Sequence, residues 1–247
     1  MKVVRRVLIA LAFVAAVIAL FPLAAIEVLY RYGLPKGGPL PEVPAVTLPE
    51  LVREAVWLAA GEKPERSVQP MYPSTIIETF RHGIRDRPPG DSAAALASRL
   101  ATIMDPHPML TWHLAHWARW VWLTRNMTSD QLVQFIAEKS YFGHQIYGLQ
   151  AAAAAYYGKD IASLASEQIA LLVSLPNAPT RRDPECHQDN AIKGRRWILQ
   201  RLREAGSITS AAFTELDARP LSVLPSGKPC PQAPGSSAPS APNSARP

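Results

Sequence analysis

From Val7 to Ile26 the chain carries no charged residue. These 20 residues, wound at helical rise, reach across a hydrocarbon core of about 30 Å. The run therefore predicts a membrane-spanning helix and constrains everything after it. Lys2, Arg5 and Arg6 precede the run, so the positive-inside rule puts the N-terminus in the cytoplasm. Pro22 is tolerated inside such a span. A cleaved signal peptide is the rival, with Leu23-Ala24-Ala25 as its cutting site, but its apolar core is usually only about 7–15 residues long. The uncleaved anchor is the reading adopted. The chain divides into a stub at 1–6, an anchor at 7–29, a connector at 30–50, a folded domain at 51–219 and a tail at 220–247.

An exported domain stands in a compartment where disulfides persist. Cys186 and Cys230 are the two cysteines; a bridge between them would tie the tail to the domain, and sequence separation neither requires nor forbids it. Neither has metal-ligand spacing. Lys and Arg outnumber Asp and Glu by 26 to 20, a basic excess that suits an anionic partner without selecting phospholipid, lipid pyrophosphate or nucleic acid.

After the anchor, Gly33 to Pro49 is Pro- and Gly-rich and reads as a connector. Leu51 to Ala60 is predicted helical. Lys63 to Pro73, with three prolines, is predicted irregular. Asp91 or Ser92 is positioned to cap an Ala-rich helix running to Met104, which Pro106 and Pro108 break. A helix from about Leu110 to Asn126 carries Trp112, Trp117, Trp120 and Trp122. These rings suit either a packed core or a membrane-interface face, and with an anchor beside them the interface is favoured. Further helices are expected at Thr128–Lys139 with Thr128 as cap, at Gln150–Tyr157, at Ser166–Leu175, and from Asn190 to Ala205 before Gly206. The fold class is mainly α. From Pro220 the composition is Pro, Ser, Ala and Gly, which buries too little to order.

One stretch carries more than helix propensity. Phe142-Gly143-His144-Gln145-Ile146-Tyr147-Gly148-Leu149-Gln150-Ala151-Ala152 leads to Tyr156-Tyr157-Gly158-Lys159. Leu172, Leu175-Pro176-Asn177-Ala178-Pro179, Asp183-Pro184, Arg195-Arg196, Leu199, Arg201 and Gly206-Ser207-Ile208-Thr209 follow in order. Residues 128 to 210 thereby resemble the C-terminal half of the family 51 glycosyltransferases, whose pattern is F/L-G-x-x-x-Y-G-x-x-A-A-x-x-Y-F-G-K, then L-x-x-x-P-x-A-P, N-P, R-x-x-x-V-L and G-x-I-T. These transglycosylases polymerise lipid-linked disaccharide into peptidoglycan, alone or as a module of penicillin-binding proteins. The resemblance implies a lysozyme-like helical domain on one membrane anchor, outside the cytoplasm at the plasma membrane. It implies lipid II or a glycan strand as partner, with the bilayer and other cell-wall synthesis proteins, and no nucleic acid. No cofactor is called for, and a divalent cation is compatible with the chemistry.

The family's chemistry needs a carboxylate base for the acceptor hydroxyl, and cations with a second acid at the pyrophosphate. Its early motifs are E-D-x-x-F-x-x-H-x-G, G-x-S-T-I-x-Q-Q and R-K-x-x-E. Here Ala60 or Gly61 falls where the base belongs, and Glu62 is the nearest acid. Phe80, His82 and Gly83 match the F…H-x-G part loosely. Gly90-Asp91-Ser92 keeps only the Gly and Ser of the second motif. Trp112-His113-Leu114-Ala115-His116 replaces R-K-x-x-E, and Gln134 and Gln168 stand at two further family acids. A glutamine cannot act as a carboxylate base. The resemblance leaves Glu62 and His116 as candidate catalytic groups, with Ser92, Arg119, Arg125 and Lys159 as candidate substrate-binding groups. His113 and His116, at i and i+3, share a helix face that can chelate a metal, but the sequence offers no third ligand. Two functions follow: a peptidoglycan glycosyltransferase, or a catalytically inactive relative that binds or scaffolds in the envelope.

Overall fold

The structure, a computed structural model, describes residues 2–82, 87–102, 109–225 and 230. Among these the chain is mainly α, as expected, with no strand and one isolated antiparallel bridge between Tyr141 and Tyr147. Helix α1 spans Lys2–Gly33 and continues through Pro22. It is the one described helix long and apolar enough to cross a membrane, and its apolar window is bare of protein contacts. Leu8, Phe13, Ile18 and Phe21 stand 60–71% exposed along it. At about 1.5 Å per residue its 32 residues reach about 48 Å. The helix thus outruns the apolar span, and its last turns belong to the domain.

Those last turns form a small second core. Tyr30 buries with Met71, Ile76, Ala118 and Val121, and Ile26 and Leu34 pack around them. Helices α3 (Pro73–His82) and α5 (Met109–Asn126) supply the other faces. The 3₁₀ turn Leu34–Gly37 then wraps α5. A Cβ on Gly33 would lie 2.8 Å from the Leu114 carbonyl oxygen, and one on Gly37 would collide with the Arg119 guanidinium. The joint between α1 and the domain therefore depends on two glycines for its close approach.

The main core gathers α2 (Glu50–Ala59), α4 (Asp91–Ala101), α6 (Ser129–Lys139), α7 (Leu149–Tyr157), α8 (Ser166–Ser174) and α9 (Gln188–Glu204). Trp57, Leu123, Leu132, Leu171, Leu172, Ile198 and Leu199 are fully buried within it. Gly194 lets α9 close on α8, since a Cβ there would sit 2.7 Å from Ser174 Oγ. Arg53 and Arg66 share Glu50 and Asp130, fastening α2 to the start of α6. Helix α10 (Ser210–Ala218) packs on α9, where Arg195 donates to the Asp217 carbonyl oxygen. Beyond it Leu224 N–H donates to the Tyr156 carbonyl oxygen, and Cys186 and Cys230 are joined in a disulfide, 5.6 Å apart at Cα.

Several local expectations hold and others need correcting. Thr128 caps α6 in a reciprocal box with Gln131, and Gly158 and Gly206 end α7 and α9 in left-handed conformations. The start of α4 differs: its N-cap is Gly90 at φ 81°, and neither Asp91 nor Ser92 caps it. Gln188–Glu204 begins two residues before the expected Asn190, and α3 and α10 were not anticipated. Trp117, Trp120 and Trp122 are half-buried against the cores, so packing occupies much of what an interface face would need. The helix break at Pro106 and Pro108, residue Gly83, and the tail at 226–229 and 231–247 lie outside the described residues.

Candidate functional site

Helix α2 ends at Ala59, and Gly61 turns the chain at φ 89°, a conformation open to glycine at no steric cost. That turn carries Glu62 away from the α2 axis and under the start of α4. Its Oε1 accepts from Ala93 N–H at 2.9 Å and its Oε2 from Gly90 N–H at 3.2 Å. The carboxylate therefore does for α4 what a local cap would do, satisfying amides that have no helical partner. Arg201 fixes the same residue by donating to the Glu62 carbonyl oxygen at 2.7 Å. Only 8% of Glu62 is exposed.

Asp91, the first residue of α4, lies beside it. Burial raises the Asp91 carboxyl to about 6; the Arg87 charge lowers it and the Glu62 charge raises it further. Two acids thus share one buried helix end. The sequence signal was Gly-Asp before an Ala-rich run, read there as a cap. Neither acid lines the nearby cavity. That cavity, about 30 Å³, lies among α2, α4, α6 and α8 and is walled by Val56, Ala60, Leu96, Ile136, Phe142 and Val173. It is apolar at Ala60, the position where the resemblance calls for a base.

The remaining candidates do not converge on this point. His116 sits where α5 crosses the second half of α4. Ser98 Oγ lies 2.7 Å from both His116 Nδ1 and its carbonyl oxygen, and the ring stacks on Trp112 with centroids 5.3 Å apart. Burial, then the Arg99 charge, holds the imidazole pKa below the ordinary histidine value. Ser98 is six residues, or about 9 Å of helical rise, beyond Ser92. Arg119 is fully buried and clamps the anchor joint, donating to Gly38 O at 2.5 Å, Pro39 O at 2.8 Å and Ala101 O at 3.3 Å. Arg125 lies between the rings of Tyr30 and Tyr72, pairs with Glu27 at 3.2 Å and donates to Met71 O. Lys159, past the end of α7, reaches Gln168 at 3.4 Å. Glu62 and Ser92 share one helix end, His116 and Arg119 share one helix contact, and Arg125 and Lys159 stand apart.

The two glutamines have structural partners. Gln134 Oε1 accepts from Thr47 N–H and Leu48 N–H, and its Nε2 donates to Glu138 Oε1 at 2.8 Å. A glutamate at 134 would place two carboxylates in contact and remove that donor, so the amide suits its neighbour. Gln168 Oε1 accepts from Ala165 N–H at the start of α8. No group of three or more His, Cys, Asp or Glu side chains suited to a metal ion is found among the described residues.

Comparison with known proteins shows what part of this arrangement is similar to. The transglycosylase family matches residues 99–203, from the end of α4 to the end of α9. Penicillin-binding protein 1A of Pseudomonas aeruginosa is 32% identical over 101 residues, which are 41% of this chain and 12% of that protein. Penicillin-binding protein 1A of Aquifex aeolicus is 32% identical over 106 residues, 43% of this chain and 15% of that one. A crystal structure of penicillin-binding protein 1A from Haemophilus influenzae overlaps with a TM-score of 0.35 at 17% identity, over 53% of this chain and 16% of that one. The chain thus spans a small part of the length of its relatives. The match also begins after Glu62 and Ser92, the region where the early motifs are not legible. Over residues 99–203 the chain is thus similar to the transglycosylase family and to the matching part of these penicillin-binding proteins.

Proposed function

We propose that the protein is a membrane-anchored, extracytoplasmic member of the transglycosylase family that binds lipid II or nascent glycan during cell-wall synthesis and does not polymerise it. The observation that carries this reading is the state of the base position. Ala60 faces an apolar cavity, and the nearest acid, Glu62, spends its carboxylate oxygens on the amides of α4. A general base must reach the proton it removes, and a carboxylate locked under a helix end does not. The apolar helix α1 and the disulfide support an anchored domain in an oxidising compartment. Such a domain, held at the bilayer surface, meets lipid-linked substrate and other cell-wall synthesis proteins there.

One observation favours a second reading, that of a weakly active glycosyltransferase. Asp91 holds its proton to about pH 6 beside Glu62, the kind of tuning that general acids show. Equilibrium binding separates both readings from an unrelated role. Fluorescent lipid II titrated onto the full chain in detergent micelles is expected to bind saturably and to remain unpolymerised. Failure to bind lipid II at all would refute the proposal.

A further inference from the structure

Between the 3₁₀ turn and α2, residues 40–46 read Leu-Pro-Glu-Val-Pro-Ala-Val and form neither helix nor strand. Pro41 and Pro44 fix their own φ near about −65° and push Leu40 and Val43, which precede them, into extended backbone. The segment is thereby set to the polyproline II form, with about three residues per turn at about 3.1 Å each and a length of about 22 Å.

Side-chain exposure follows that period. Leu40, Val43 and Val46, spaced by three, stand 42–46% exposed in one row, and Pro41 and Pro44, on the next face, are half-buried. Such a row does not belong to a strand, whose faces repeat every two residues.

The segment is staked at both ends and open between them. Arg119 of α5 donates to the Gly38 and Pro39 carbonyl oxygens, and Gln134 of α6 accepts from Thr47 N–H and Leu48 N–H. Among the described residues, no backbone N–H or C=O of residues 40–46 takes part in a hydrogen bond. The ribbon is thus ordered before anything binds it, which lowers the entropic cost of docking. None of its residues lines the cavity at Ala60.

These properties select the chemistry of a partner. Prolines, free carbonyl oxygens and an apolar residue at every third position are what aromatic-lined grooves read in polyproline II ligands. Aromatic rings pack against the apolar row, and the polar ends of Tyr or Trp donate to the carbonyl oxygens. Glu42 is exposed and is the one charge between Lys36 and Glu50, so it suits a groove with a cation beside it. Addition as a sheet strand is disfavoured, because Pro41 and Pro44 have no N–H to give a ladder. Entry into hydrocarbon is disfavoured as well, since the free backbone groups would find no partner there.

We propose that residues 40–46 are a docking ribbon for a protein partner, taken up in polyproline II form by an aromatic-lined groove that covers Leu40, Val43 and Val46 and places a basic side chain against Glu42. The proposal adds a protein contact to the glycan-binding reading and does not depend on it.

The test places the photo-crosslinker p-benzoylphenylalanine singly at Leu40, Val43 or Val46 of the full chain, with the exposed Gln200 of α9 as control, and irradiates native membranes. Thermal melting of each purified variant checks that the fold is kept, as expected for exposed positions. Competitors are a synthetic peptide of residues 38–49 and the same peptide carrying Leu40→Asp, Val43→Asp and Val46→Asp. The expected result is one protein adduct shared by the ribbon positions and absent at Gln200. Excess parent peptide lowers it about tenfold, the Asp-bearing peptide leaves it unchanged, and mass spectrometry maps it to an aromatic-rich segment of the partner. Adducts to phospholipid alone, adducts to a second copy of this chain, a protein adduct that the parent peptide does not displace, or no adduct from the folded variants would each overturn the proposal.

Discussion

Asp91 shows how one buried side chain ties local structure to pH. Its folded pKa, about 6, lies above the ordinary value of 3.8. Between those values the folded chain keeps a proton that the unfolded chain releases, so this group subtracts stability as pH rises from about 4 to about 6 and holds that deficit above. The positive end of α4 and Arg87 oppose the effect of burial. Asp91→Asn removes the cost of burying charge. The variant should gain about 1–3 kcal/mol at pH 7.5 and nothing near pH 4, checked by urea unfolding at both values. His116 has the opposite sense. Its lowered pKa keeps it neutral at pH 7, and the α4–α5 contact loses its share of stability as pH falls below about 6.5.

Among the elements, α5 does most to organise the molecule. Its Arg119 face receives the chain leaving the anchor, its Arg125 end receives Glu27 of α1, and its Ala118 and Val121 face receives Tyr30. The end of α1 is therefore built into the domain, with no loose connector between them. Arg119→Met removes the hydrogen bonds to the Gly38, Pro39 and Ala101 carbonyl oxygens, each contributing about 0.5–1.5 kcal/mol. The variant should lose about 2–4 kcal/mol overall, with faster amide exchange confined first to residues 34–39. Uniform exchange across the domain would contradict the clamp. Sequence patterning showed α2, α5, α6, α7 and α8 because their caps and apolar spacing are local. It missed α3, and it assigned Arg119 to substrate, because the groups that satisfy that guanidinium lie 80 and 81 residues away at Pro39 and Gly38. The role of Glu62 was hidden for the same reason: its partners, Gly90 and Ala93, are 28 and 31 residues on.

At the scale of the whole molecule, three devices hold the domain: the main core, the joint with α1 and the disulfide. The Cys186–Cys230 bridge closes a loop of 44 residues, for which chain entropy sets a stabilisation of at most about 4 kcal/mol. Cys230→Ser should lower stability by about 2–4 kcal/mol and release the segment that pairs Leu224 with Tyr156, measured by denaturant unfolding and by proteolysis after residue 219. The resemblance to the transglycosylase family was legible in the sequence because its glycines, prolines and alanines keep fixed spacing. The candidate site was not. Its acids act through burial and distant amides, which no spacing records. The central claim is that a transglycosylase domain lacking a carboxylate at Ala60, with Glu62 locked beneath α4, binds glycan precursor without polymerising it. The most direct measurement incubates labelled lipid II with the parent and with Glu62→Gln and resolves the products by gel. The account predicts bound lipid II and no glycan chains from either protein; chains made by the parent and lost in Glu62→Gln would contradict it.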